Sequence, residues 1–404
     1  MLCFKSGEIL PFPLAVCLNP WGSSFPVRAP ETTSTFKSDA GPSGRERLRP
    51  EPRRRWRSLL FSQPFLWASE ERAMNLTMRA GQKFPIVSLA VSATSLFLDG
   101  WDQSMGSLAV WRDHQIKNEG NPMPAGPAMP FVRKLLALNQ YSLDPEKQPF
   151  VQAHVISRQD PCVALRFLNS LEHHDLHQYF DSHLVQCYYL GGGDPVDYLG
   201  YLGVHLYLSG HEQPVRKALE AGVAAALIAK PTPPVTGSNS GGEKLVVAFD
   251  GDAVIFDRES DERYASRGRE EALQTEFELR HKPLSHGPLQ GFFMALCALR
   301  SVFPQDPVDS PLHILLATAR GFKSQHRVFT TFKEWGVRLD RAFFVSGKEK
   351  GPCLRASHAT ILFDDAQRNI ESAQQHGVPG AHIPLPPLPA LPAPSPIQLP
   401  LKSA

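Results

Sequence analysis

The sequence predicts an α/β protein built on a doubly wound parallel sheet. Short apolar runs, each the length of a buried strand, alternate with longer amphipathic segments of helical period. The alternation stops at one Pro/Gly/Ser-rich break and then restarts. The stretches on either side of that break resemble each other.

In the first stretch the strand candidates are "PIVSLAV", "VQAHVIS", "LVQCYYL" and "GVHLYL", with "PFVRKLLALN" and "QPVRKALEAG" as helices. The break is "KPTPPVTGSNSGGEK" (230–244). After it come strands "KLVVAF", "LHILLA", "RAFFVS" and "HATILF", with helices "PLQGFFMALCALR" and "HRVFTTFKEW". The expected organisation is an N-terminal tail (1–80), an α/β half (81–229), a linker (230–244), a second α/β half (245–384) and a Pro-rich tail (385–404). The N-terminal tail carries the basic block "RERLRPEPRRRWR" and too little apolar surface to offset ordering entropy, so disorder is expected. The C-terminal tail is polyproline II material.

The halves align as a duplication. "NPMPAGPAMPF" (121–131) matches "KPLSHGPLQGF" (282–292) at both prolines, the Gly-Pro and the Phe. "ALEAGVAAALI" (218–228) faces "AQQHGVPGAHI" (373–383), and "LAVSATSLF" faces "AFDGDAVIF".

Composition narrows the function classes. A formal net charge of +2 with no long basic stripe argues against nucleic-acid binding. No apolar run reaches membrane-helix length, so no membrane partner is expected. The apolar stretch 9–18 is broken by Pro11 and Pro13 and makes a poor signal core. Six scattered cysteines without a CxxC pair suit reduced thiols and a cytoplasmic location.

Four polar features follow strand candidates of the second half in order: Asp250 and Asp252, Thr318, Lys350, and the pair Asp364 and Asp365. In an open parallel sheet, ligands bind beyond the carboxyl ends of the strands, so these residues should converge on one crevice. Clustered carboxylates suggest a hard divalent cation, most simply Mg²⁺. A carboxylate can attack a metal-bound phosphate, a second acid can move the proton, and a hydroxyl and an ammonium can hold phosphate oxygens. A lone Asp-Gly-Asp is more often a turn; the ordered set of four is the signal.

With its Asp-x-Asp, the second half resembles the haloacid dehalogenase superfamily of phosphotransferases. More narrowly, "VAFDGDAVIF", "KPLSHGPLQGF", "TAR", "KGP" and "FDD" resemble the cytosolic 5′-nucleotidase type I family, as do "GPAMPFV", "RFLNSLEHHDL" and "HLYLS" in the first half. The resemblance implies hydrolysis of nucleoside 5′-monophosphates, notably AMP, with Mg²⁺, and ADP as an activator; a homo-oligomer is compatible with it. Carried over, Asp250 is the nucleophile and Asp252 the acid/base. Thr318, Ala319 and Arg320 of "TAR", with Lys350, bind phosphate. Asp250, the main-chain carbonyl of Asp252, and one of Asp364 and Asp365 hold the metal. The chain departs from the family pattern in "GFKSQHR" after "TAR". It departs again in "GKEK" before Gly-Pro, where Lys348 competes with Lys350 and Lys350 is preferred because it directly precedes Gly-Pro.

Three further expectations follow. The insertion 257–311 between the first two motifs should act as a small cap that carries base recognition. The first half should be degenerate: Ser92 and Thr94 stand where Asp250 and Asp252 stand, Asp194 lies near the counterpart of Lys350, and "HLYLSG" replaces "TILFDD". His173 and His177, at helical i, i+4 spacing, read as a helix-surface pair rather than a zinc site.

Overall fold

The computed structural model describes residues 84–98, 107–181, 183–228 and 244–388. The expected N-terminal tail lies outside these residues, as do the linker apart from Lys244 and the Pro-rich tail beyond 388.

All eight strand candidates form strands. They are β1 (Val87–Ser92), β2 (Val151–Ser157), β3 (Val185–Tyr189) and β4 (Leu206–Ser209) before the break. After it come β6 (Leu245–Phe249), β7 (Leu312–Thr318), β8 (Arg341–Phe344) and β9 (Ile361–Asp364), and one strand that the pattern did not single out completes each half, β5 (Ala225–Ile228) in the first and β10 (Gly380–His382) in the second. β1, β6 and β7 are buried along their whole length, which is why they read as unbroken apolar runs instead of alternating ones. The four expected helices occupy Met129–Ala137, Glu212–Glu220, Gln290–Val302 and Gln325–Trp335.

The strands make one ten-stranded sheet in the order β3-β2-β1-β4-β5-β10-β9-β6-β7-β8. Read inward from each outer edge, the two halves are copies of one topology, 3-2-1-4-5. All neighbours pair parallel except β5 and β10, which meet antiparallel through Ala381↔Ile228 and His382↔Leu227. The halves are therefore fused at their fifth strands, and no sheet edge separates them. Helices cross the seam: Met129–Ala137 packs on β6 and Gln290–Val302 packs on β1. Phe131 meets Phe363 edge-on, and both Tyr141 and Phe150 meet Phe303. The largest apolar cluster therefore runs through both halves, and each half adds a smaller one of its own.

The matched Gly-Pro positions now have a physical cause. In each half the segment before the crossover helix returns to touch the turn after the first strand, through Phe97↔Ala125 and Phe256↔His286. A Cβ on Gly126 would sit 2.4 Å from the Ser95 carbonyl oxygen, and one on Gly287 2.2 Å from that of Phe256. Only glycine permits that approach.

The segment 257–311 divides in two. Helices Glu259–Arg267 and Arg269–Glu278 stand off the sheet, whereas Gln290–Val302 buries eight side chains in the core. The His173/His177 pair does not share a helix. One helix ends at His173, Asp175 takes a left-handed φ of 56°, and a new helix starts at His177.

Candidate active site

The crevice forms where β6, β7, β8 and β9 end. Asp250 follows β6, and its backbone N–H donates to the Phe363 carbonyl of β9 at 2.8 Å. The chain then makes a tight turn, Gly251–Ile255, with Ala253 at a left-handed φ of 61°. This turn has one residue more than its counterpart in the first half, where Ser92 leads to Phe97. Asp252 is extended and Ala253 left-handed within it, so the extra residue is taken up as a kink directly after the two aspartates.

Lys350 precedes the helix Gly351–Ala356 and is completely buried. Its Nζ lies 2.7 Å from Asp250 Oδ2 and 2.7 Å from Asp364 Oδ2. Burial alone would disfavour its charge, but the two carboxylates outweigh that and hold its pKa above the ordinary lysine value. Lys348 is exposed. Asp364 is fixed further by the Ala366 N–H at 2.9 Å and by Asn369 Nδ2 at 2.9 and 3.1 Å.

Asp250, Asp364 and Asp365 bring carboxylate oxygens within 4.8 Å of one another. Burial first, and Asp364 next, push Asp250 well above the usual carboxylate range, against the pull of Lys350. The same two causes raise Asp365 to about 6. Such crowding of hard oxygen donors is what a divalent cation relieves, so the residues present fit Mg²⁺.

Asp252 is not among those three. Its carboxylate takes a two-point grip from Arg320, with Nε at 2.8 Å and Nη2 at 2.7 Å. Arg320 also donates to Glu276 at 2.6 Å and to Ser260 at 2.6 Å. It is buried, which opposes its charge, yet Asp252 and Glu276 keep it protonated more firmly than a free arginine. Glu276 in turn accepts from Arg327 at 2.9 Å, and Arg327 reaches Glu259 at 2.9 Å. Thr318 ends β7, buried, and its hydroxyl accepts the Arg320 N–H at 3.2 Å; Ala319 between them is exposed.

Sequence reasoning missed Ser260, Asp261, Glu276, Arg327 and Asn369. Asp261 faces the crevice from the cap, and burial, then Asp252 and Asp365, raise it to about 7. Asn369 alone left a trace, five residues after Asp364 in the first turn of the next helix.

This arrangement of strand-end carboxylates and lysine on a doubly wound sheet, roofed by two short helices, defines a haloacid dehalogenase-like α/β protein. The chain belongs to the 5′-nucleotidase family, whose model matches residues 82–387. It is 31% identical over 302 residues to human "Cytosolic 5'-nucleotidase 1B", across 72% of this chain and 48% of that relative. The chain thus spans about half the length of that relative. No solved structure is significantly similar to it. Among the described residues no helix is long and apolar enough to cross a membrane.

Proposed function

We propose that this chain is a Mg²⁺-dependent 5′-nucleotidase that hydrolyses nucleoside 5′-monophosphates, AMP foremost, through an aspartyl-phosphate. The observation that carries the reading is Lys350, buried and shared between Asp250 and Asp364, beside the third carboxylate of Asp365. A site this rich in buried charge is costly as mere structure, and perturbed carboxylates at strand ends are what phosphoryl transfer uses.

When bound by Asp250, the Asp252 carbonyl and one of Asp364 and Asp365, the metal would neutralise the phosphate and the carboxylates around it. An Asp250 oxygen attacks phosphorus, forming an acyl phosphate as the bond to the nucleoside oxygen breaks. Asp252 gives that oxygen a proton. It then takes one from water, whose oxygen attacks phosphorus and frees Asp250 and phosphate. Thr318 and Lys350 hold the phosphoryl oxygens. Arg320, expected from sequence to bind phosphate, faces Asp252 here, and we assign it the orientation of that carboxyl group.

The cap helices Glu259–Arg267 and Arg269–Glu278 are the elements we assign to base recognition. ADP is carried as an activator by the family resemblance, and cytoplasmic residence by the relative's name. Phosphate release from nucleotides and sugar phosphates, with and without Mg²⁺, tests the reading. Metal-dependent turnover with nucleoside monophosphates preferred is expected; preference for sugar phosphates, or no turnover, counts against it.

A further inference from the structure

The first half has a crevice of its own. A cavity of about 720 Å³ opens beyond β1, β2 and β4, where the second half holds its catalytic groups. Strand pairing fixes the correspondence. Val91 pairs with Leu208 as Phe249 pairs with Phe363, so Ser92 and Ser209 occupy the places of Asp250 and Asp364. By the β1–β2 and β6–β7 registers, Ser157 occupies that of Thr318. Arg158 then stands where the second half has Ala319.

The replacements are chemically coherent. Carboxylates that would repel an anion have become hydroxyls, so the floor has hydrogen-bonding capacity without negative charge and without ligands for a divalent cation. Ser92 Oγ lies 3.1 Å from Thr94 Oγ1, and the Gly210 N–H points at it from 3.4 Å. Ser157 accepts the Gln159 N–H at 3.2 Å, which leaves its own proton to donate.

Positive charge remains at the rim. The nearby carboxylates already have partners: Asp160 pairs with Arg112, Asp194 with Lys217 and Glu212 with Arg216. Arg158 is exposed and makes one long bond, 3.3 Å to the Gly192 carbonyl. A guanidinium so placed suits two-point contact with a phosphate. Trp111 and Tyr207 supply apolar wall, and the volume lies in the range of small-molecule sites.

We propose that the first half keeps its crevice as a metal-independent binding site for a small phosphate monoester, held by Ser92, Thr94, Ser157 and Arg158. The bound ester is not hydrolysed, because neither a carboxylate nucleophile nor a metal cluster stands against it.

The test is calorimetric titration of the full chain with AMP in EDTA, for the wild type and for Arg158→Glu. In EDTA the catalytic carboxylates repel the phosphate, so one molecule per chain is expected, at the first-half site. Orthophosphate should compete and adenosine should not. Arg158→Glu should weaken binding about tenfold or more by reversing the charge at the anchor. Arg158 is exposed, so the variant's melting curve should match the wild type, which shows that it folds. No binding in EDTA, binding unchanged by Arg158→Glu, or competition by adenosine but not orthophosphate would each overturn the proposal. The measurement involves no hydrolysis, so its failure leaves the catalytic reading standing.

Discussion

Lys350 is buried between two acids, whereas Lys348 lies in solvent. Burial thus separates these two nearby lysines in the same sense as the sequence, which favoured Lys350 because it directly precedes Gly-Pro. Lys350→Ala should therefore remove most phosphate release and lower the melting temperature. Breaking a buried ion pair costs about 3–5 kcal/mol, and a protonated Asp250 would soften that loss. Lys348→Ala should change neither, and equal losses in the two variants would refute this assignment. A second expectation concerns pH. Asp365 sits at about 6, above its ordinary value, so the metal-free fold binds an extra proton at mildly acidic pH. That contribution to stability is present below the unfolded pKa and is lost as pH rises through about 6. Mg²⁺ needs the deprotonated carboxylate, so its affinity should rise over the same interval. Melting curves with and without Mg²⁺ near pH 5 and pH 7.5 check this; a larger Mg²⁺ shift at the acidic end would contradict it. The strand-end residues were legible because an acid or lysine directly after an apolar run is conspicuous. Glu276, Asp261 and Arg327 were not, because a helix surface in water and an ion-pair latch have the same composition.

The two cap helices are tied to the core through a chain of charges. Glu276 bridges Arg320 and Arg327, and Arg320 grips Asp252. Burial opposes the charge of Glu276, but the two arginines outweigh it and lower its pKa. Glu276→Ala should leave two buried guanidiniums short of a partner and free Arg320 to tilt away from Asp252. The expected result is a loss of about 3–5 kcal/mol in unfolding free energy together with slowed turnover, read by denaturant melts and phosphate release. Unchanged stability and rate would show that the latch does not position Asp252. Eight strands were readable from length and β-rich composition. β5 and β10 escaped because they have four and three residues rich in Ala and Gly, and they follow helix-ending glycines like ordinary turns. The extra residue at Ala253 was hidden as well, since the repeat aligns at either end of the turn without showing where the insertion falls.

At the scale of the molecule, the duplication visible in the sequence became one sheet with two crevices. Its closure through antiparallel β5 and β10 was not legible, because nothing in a repeat specifies how its copies meet. The seam has a consequence for any attempt to separate the halves. Residues 245–388 alone would expose the β10 edge and the faces of Phe363 and Phe303 that the first half covers. Expressed alone, that segment should be insoluble or lack a cooperative melt; a stable, active fragment would show that the first half is dispensable to the fold.

The covalent role of Asp250 is tested most directly by trapping. Asp252→Asn should slow both half-reactions on AMP by roughly 10²- to 10⁴-fold; with an ester whose leaving oxygen needs no proton, only the hydrolysis of the intermediate is impaired and it accumulates. Mixed with p-nitrophenyl phosphate and Mg²⁺ and quenched in acid, this variant should carry a phosphoryl group on the peptide containing Asp250, located by mass spectrometry. The doubly substituted Asp250→Asn, Asp252→Asn protein should carry none. Hydrolysis by Asp250→Asn near the wild-type rate, or a phosphoryl group found elsewhere, would contradict the mechanism.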